Sequence, residues 1–223
     1  MRVILATMLV AGRLAVALTV VMPARADPGN CPPVCDQIPD TAWINPRAVP
    51  LDSAYRWPTP AGQAAALTGT TPRFRFEDVC AASTSPRDDR VSAVASRVTV
   101  AHPDGQWQLQ AEVLHWRGDT ARGGQLAAAV FNNTTAALRG CQQGAPQQSP
   151  SVTADAPNRL AAVVSGPVIM HSYLVAHVAS STFSALTLWS TRPPQLPWPS
   201  ISDDAVLDAM TAPLCEAYIA SCP

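Results

Sequence analysis

The sequence predicts an α+β fold: an antiparallel sheet of about five strands with helices packed on one face, locked by disulfides. Three observations carry that expectation. Segments whose apolar residues alternate follow one another, two before and three after a stretch of helical spacing. A second helical stretch closes the chain. Six cysteines, an even number, accompany what reads as an export leader. Runs of adjacent strands favour antiparallel pairing, because a doubly wound sheet would alternate strand and helix.

The leader is residues 1–26. Arg2 and Arg13 supply positive charge, residues 14–22 are an apolar run, and Ala24-Arg25-Ala26 forms a cleavage site ahead of Asp27. The apolar run falls well short of the ~20 residues that cross a bilayer, so no membrane span is expected after cleavage. Secretion or residence in the cell envelope follows.

Residues 27–72 carry a proline every few positions, among them Pro39, Pro46, Pro50, Pro58 and Pro60. Each removes a backbone donor and fixes φ, which predicts an extended arm with only a short helix near 61–67. Trp43, Tyr55 and Trp57 would pack this arm onto the domain that begins at residue 73 and runs to 223. The first hairpin of that domain joins two alternating runs, Val94, Val98 and Val100 in one and Leu109, Ala111 and Val113 in the other. A register that sets Val100 against Leu109 and Arg97 opposite Glu112 keeps every apolar residue on one face. Its loop is predicted as Pro103–Gln106 in a type I turn.

Residues 120–141 read as a helix: Leu126, Val130, Ala137 and Leu138 recur at helical spacing. Asp119 or Thr120 caps its start, Gly123-Gly124 would delay its first turn, and Gly140 stops it. Residues 142–158 are polar and proline-bearing, predicting a loop. Strands follow at 160–165, 168–179 and 182–189. After the proline-rich 192–199 comes a helix over 204–220, capped by Ser202 or Asp203, with Val206, Met210, Leu214 and Tyr218 four apart.

Composition narrows the function. The chain has 223 residues, 48% hydrophobic and 14% charged, and its 15 basic residues (all arginine) face 16 acids. No basic stripe exists to neutralise phosphates, so no nucleic-acid partner is expected, and a disordered chain is excluded. Cys31, Cys35, Cys80, Cys141, Cys215 and Cys222 predict three disulfides; Cys31 and Cys35 lack the C-x-x-C spacing of a redox motif. His171 and His177 share a strand face but lie six residues, roughly 20 Å, apart, so they cannot hold one metal ion, and His115 adds no ligand spacing. No G-x-S-x-G elbow or phosphate loop is present; Ser165 sits at a strand end in Val-Ser-Gly-Pro. Arg117-Gly118-Asp119 spells an adhesion tripeptide, but its glycine and aspartate serve the turn and the helix cap. No catalytic residue, metal or cofactor is expected.

Tryptophan beside neutral polar groups suits a ligand cleft, and Trp116, His115, Asn133, His171 and Tyr173 are the candidate ligand contacts. Trp43, Trp57 and Trp198 lie in proline-rich segments and also serve to pin them. Over its last ~145 residues the chain resembles the extracellular sensor-like domain of a family of mycobacterial Ser/Thr protein kinases. The likeness rests on the hairpin, the helix with Ala128-Ala129-Val130-Phe131 ending at Cys141, three strands, and a closing helix bearing Cys215. It implies a disulfide-bonded α+β fold with a cleft for an unknown ligand and no catalysis. The sequence shows neither a kinase nor a membrane-spanning segment, and the arm and extra cysteines are additions. The expected protein is a monomeric, exported binding or sensor-like domain that takes a small-molecule, glycan, lipid or peptide ligand or an envelope component. The alternative is a secreted hydrolase.

Overall fold

Seven antiparallel strands form one sheet in the order β1-β2-β3-β7-β6-β5-β4. The computed structural model describes residues 37–68, 71–83 and 88–218. The leader predicted over residues 1–26, Cys31, Cys35 and Cys222 lie outside the described residues.

The strands are β1 (Ala65–Leu67), β2 (Val94–Val100), β3 (Gln108–His115), β4 (Ser149–Ala156), β5 (Arg159–Ser165), β6 (Val168–His177) and β7 (Thr182–Thr191). The hairpin register is the one the alternation predicts: Val100 pairs with Leu109, Val98 with Ala111 and Arg97 with Glu112. Its turn differs. Gln106 N–H donates to Pro103 O, which puts proline first in the turn, and Gly105 takes φ +80° at the third position. That is the signature of type II, where the third residue must tolerate the left-handed region.

Two strands exceed the predicted five. β1 occupies the alanine-rich stretch expected to be helical, which holds only a short 3₁₀ turn at Pro60–Gly62. β4 occupies part of the predicted loop, preceded by the short helix α4 (Cys141–Gly144). Both are edge strands, paired on one side only, and most of their residues are exposed whichever face they point to, so the alternation of a half-buried strand is absent. Pro150 is tolerated for the same reason.

The helices lie on both faces, correcting the single helical face predicted. Besides α4, the α-helices among the described residues are α1 (Asp52–Tyr55), α2 (Arg75–Val79), α3 (Thr120–Arg139) and α5 (Asp203–Ala217). Along β6, Tyr173 and Val175 join one core with Val206, Met210 and Leu214 of α5. Met170 and Leu174 point the other way, into a second core with Val130, Phe131 and Leu138 of α3. Strand geometry sends successive side chains to opposite faces, and here both rows are apolar. A strand buried on both faces demands cover on both.

Residues 37–57 share the α5 face. Trp43, Val49 and Trp57 are buried there, and the indole N–H of Trp57 donates to Pro50 O at 2.8 Å. The prolines break this segment into short helical turns at Asp40–Ala42 and Pro46–Ala48, followed by α1. On the α3 face, Asp119 caps the helix by accepting from Arg122 N–H at 2.8 Å. Cys80, just after α2, is disulfide-bonded to Cys141; Cys215 is disulfide-bonded as well.

Candidate functional site

The five candidate contacts do not converge. Trp116 lies opposite Val113, as predicted, but in the α3-side core and only 2% exposed. Asn133 is exposed on α3. His171 and Tyr173 are buried on the α5 face of β6, while His115 stands at the far end of β3, level with His177 through Thr182. Phenol burial and the Asp203 carboxylate, which accepts from Tyr173 Oη at 2.8 Å, together raise the Tyr173 pKa. The tyrosine is therefore a tie between the sheet and the start of α5.

Two histidine-bearing clusters remain. In the first, His171 stacks on Trp198 with ring centroids 3.5 Å apart, and Trp107 packs beside both. The indole N–H of Trp107 donates to Leu196 O at 2.8 Å, fastening the 192–199 segment over the end of the sheet. Trp198 thus pins its proline-rich segment, the second role read for it from the sequence, with Trp107 just before β3 as the anchor. In the second, His177 Nδ1 lies 2.7 Å from Ser180 Oγ, Ser180 donates to Thr182 Oγ1 at 3.0 Å, and Thr182 Oγ1 is 3.3 Å from His115 Nδ1. A Ser–His pair invites a nucleophile reading. However, Ser180 is only 3% exposed and also bonds to the His177 carbonyl, so its hydroxyl closes a tight turn. Burial lowers the pKa of His177, and pushes His115, stacked on Tyr218, down to about 4.

A cleft of about 490 Å³ opens where β1 ends. Pairing stops at Leu67 with Ala95, leaving Val94 paired only to His115 on its other side. Leu67, Val91 and Val94 give the cleft its apolar surface, and Arg90 and Arg117 line it too. Val91 is 71% exposed, the most exposed large apolar side chain among the described residues. The wall is fixed from behind. Trp116 donates its indole N–H to Asp89 O at 3.0 Å, and Asp88 caps the Asp89–Ser92 turn through Arg90 N–H. Arg90 is in turn gripped by Glu77 at 2.7 Å and by Asp88. Trp116 thus supports the cleft without lining it. Among the described residues the lining holds no histidine, cysteine, serine or carboxylate. The sequence hid this site because its parts come from three separate stretches, Ala66–Thr68 with Pro72, Arg90–Val91 with Ala93–Ala95, and Arg117, and no spacing in the sequence links them.

A second, smaller cleft of about 320 Å³ lies over Arg47, Arg56 and Trp57. Among the described residues no three His, Cys, Asp or Glu side chains gather as a metal-holding group, and no helix is long and apolar enough to cross a membrane. No family model, curated protein or solved structure matches the chain.

Proposed function

We propose that this is an exported, non-catalytic binding domain whose ligand site is the cleft at the end of β1. The chemistry of the lining carries the reading: an apolar patch beside two arginines, with neither a general base nor an activated nucleophile to turn over what it holds. Such a surface suits a ligand that presents an apolar body, since the Arg90 guanidinium is already engaged by Glu77 and Asp88. The disulfide and the leader-like residues 1–26 support an oxidising destination. The reading also agrees with the resemblance to extracellular sensor-like domains.

The test uses the protein recovered from culture medium, expected to begin at Asp27, and an anionic apolar probe, anilinonaphthalene sulfonate. Saturable binding that weakens at least several-fold in Val91→Asp, with the thermal midpoint unchanged, is the expected result. Binding indifferent to Val91→Asp and to Val94→Asp overturns the site. The hydrolase reading rests on the Ser180–His177 contact alone; covalent labelling by a fluorophosphonate that is lost in Ser180→Ala would favour it instead.

A further inference from the structure

The polar row of β3 is not left open to water. Gln108, Gln110 and Glu112 alternate with Leu109, Ala111 and Val113; Gln108 and Gln110 are half-buried, Glu112 is buried, and a strap running from Arg73 through α2 to Cys80 meets Gln110 directly and Glu112 through Arg97. Phe74 and Phe76 anchor the strap, fully buried in the α3-side core. Arg75 N–H donates to Gln110 Oε1 at 3.0 Å. Arg97, directly across from Glu112, donates through Nε to Glu112 Oε1 at 2.7 Å and through Nη2 to Arg73 O. Glu77 accepts from Phe74 N–H at 2.7 Å and from the Arg90 guanidinium. Glu112 ends up 1% exposed, with Oε2 buried and without a hydrogen-bond partner. The charged groups packed about this contact are Arg97 on β2, Arg73, Arg75, Glu77 and Asp78 on the strap, and Asp88 and Arg90 ahead of β2.

We propose that the seat of the strap on the sheet is a proton-sensitive contact, held more tightly when Glu112 carries a proton and loosened locally when Glu112 is ionised. A buried carboxylate with one oxygen unpartnered keeps a large part of its desolvation cost even beside an arginine. Burial pushes the Glu112 carboxyl up from 4.5 to about 7, against the opposing pull of Arg97. Peeling the strap returns water to the group and its pKa toward the ordinary range. The seated form therefore binds the proton more tightly. It gains on the peeled form as pH falls from 7 toward 4.5 and loses that gain as pH rises through 7. One proton per opening changes the opening equilibrium by up to about tenfold per pH unit. The Cys80–Cys141 bond ties the far end, so the motion is a peel from the Arg73 side. Pro72 and Arg90 also line the cleft, so its wall follows the strap; that consequence alone rests on reading the cleft as the ligand site.

Amide hydrogen exchange over residues 74–82 of the full chain, without ligand and corrected for intrinsic rates, tests the proposal. Between about pH 5 and about pH 7 the local opening equilibrium is expected to rise at least tenfold in the wild type and to stay level in Glu112→Gln. Equal opening at both pH values in the wild type, or an unchanged pH dependence in Glu112→Gln, overturns it. Should Glu112→Gln fail to fold, the carboxyl-carbon resonance of Glu112 in the wild type decides. A midpoint near 7 is the expected outcome, and one in the usual carboxylate range refutes the contact.

Discussion

His171 illustrates how a single ring nitrogen sets a pH limit. Trp198 and Trp107 pack against the imidazole, and Nε2 is buried without a hydrogen-bond partner. Burial lowers its pKa to about 4, although Asp203 pulls the other way. The folded chain therefore keeps His171 neutral where the unfolded chain, near 6.5, takes up a proton. Stability is full above pH 6.5 and is lost as pH falls toward 4. His115 contributes in the same sense, Glu112 in the opposite one. His171→Phe keeps an aromatic ring against Trp198 and removes the titrating group. Urea unfolding at about pH 7 and about pH 5 is expected to show the variant losing less stability on acidification than the wild type, by on the order of 1–2 kcal/mol. Identical losses would mean that His171 does not titrate in this window.

At the level of elements, what was legible depended on whether the pattern was local. The β2–β3 register was fixed by side-chain parity within twenty residues, since any one-residue slip would bury glutamines beside valines. β1 and β4 were illegible because an edge strand borrows its conformation from a neighbour, β2 or β5, rather than from its own apolar period. The polar row of β3 gave no sign of its cover either, since alternation cannot distinguish a residue facing water from one facing a distant ion-paired strap. Gly123-Gly124 is a further case. Read locally, the pair weakens a helix start, yet both glycines lie inside α3 and are buried. Their bare Cα atoms let the helix approach the Val178–Ser181 turn. A Cβ on Gly124 would stand 2.6 Å from Val178 O, and one on Gly123 would collide with the Ser181 side chain. Gly124→Ala, favourable by up to ~1 kcal/mol in an isolated helix, is expected to destabilise this protein by ~1–3 kcal/mol and lower its thermal midpoint. Gly62→Ala, with nothing within 4 Å, is the matched control. A Gly124→Ala midpoint at or above the wild type would show that the turn yields.

The whole molecule answers a problem of coverage. Seven strands spaced ~4.8 Å make a sheet roughly 29 Å wide, whereas one helix with its side chains spans only about 10 Å. A single helix per face leaves most of an apolar sheet wet. On one face α3 is supplemented by the α2 strap and the Asp89–Ser92 turn; on the other, α5 is supplemented by residues 37–57. The tryptophans among the prolines point to this role in the sequence itself, because large rings in a chain that cannot form long helices have to pack against something else. Which face they cover could not be read, since that depends on contacts across the whole sequence. The proline-punctuated segment is thus a layer of the fold, and Trp57, stacked on Tyr55 at 4.8 Å, is central to it. Trp57→Ala is expected to cost ~3–5 kcal/mol, measured by denaturant unfolding, and to raise hydrogen exchange across residues 42–57 and along β2 and β3 together. A segment that merely hung from the domain as a tether would leave the exchange of β2 and β3 unchanged and the stability within ~0.5 kcal/mol of wild type. Either result decides between a tether and a structural layer, because only a layer keeps water from the sheet beneath it.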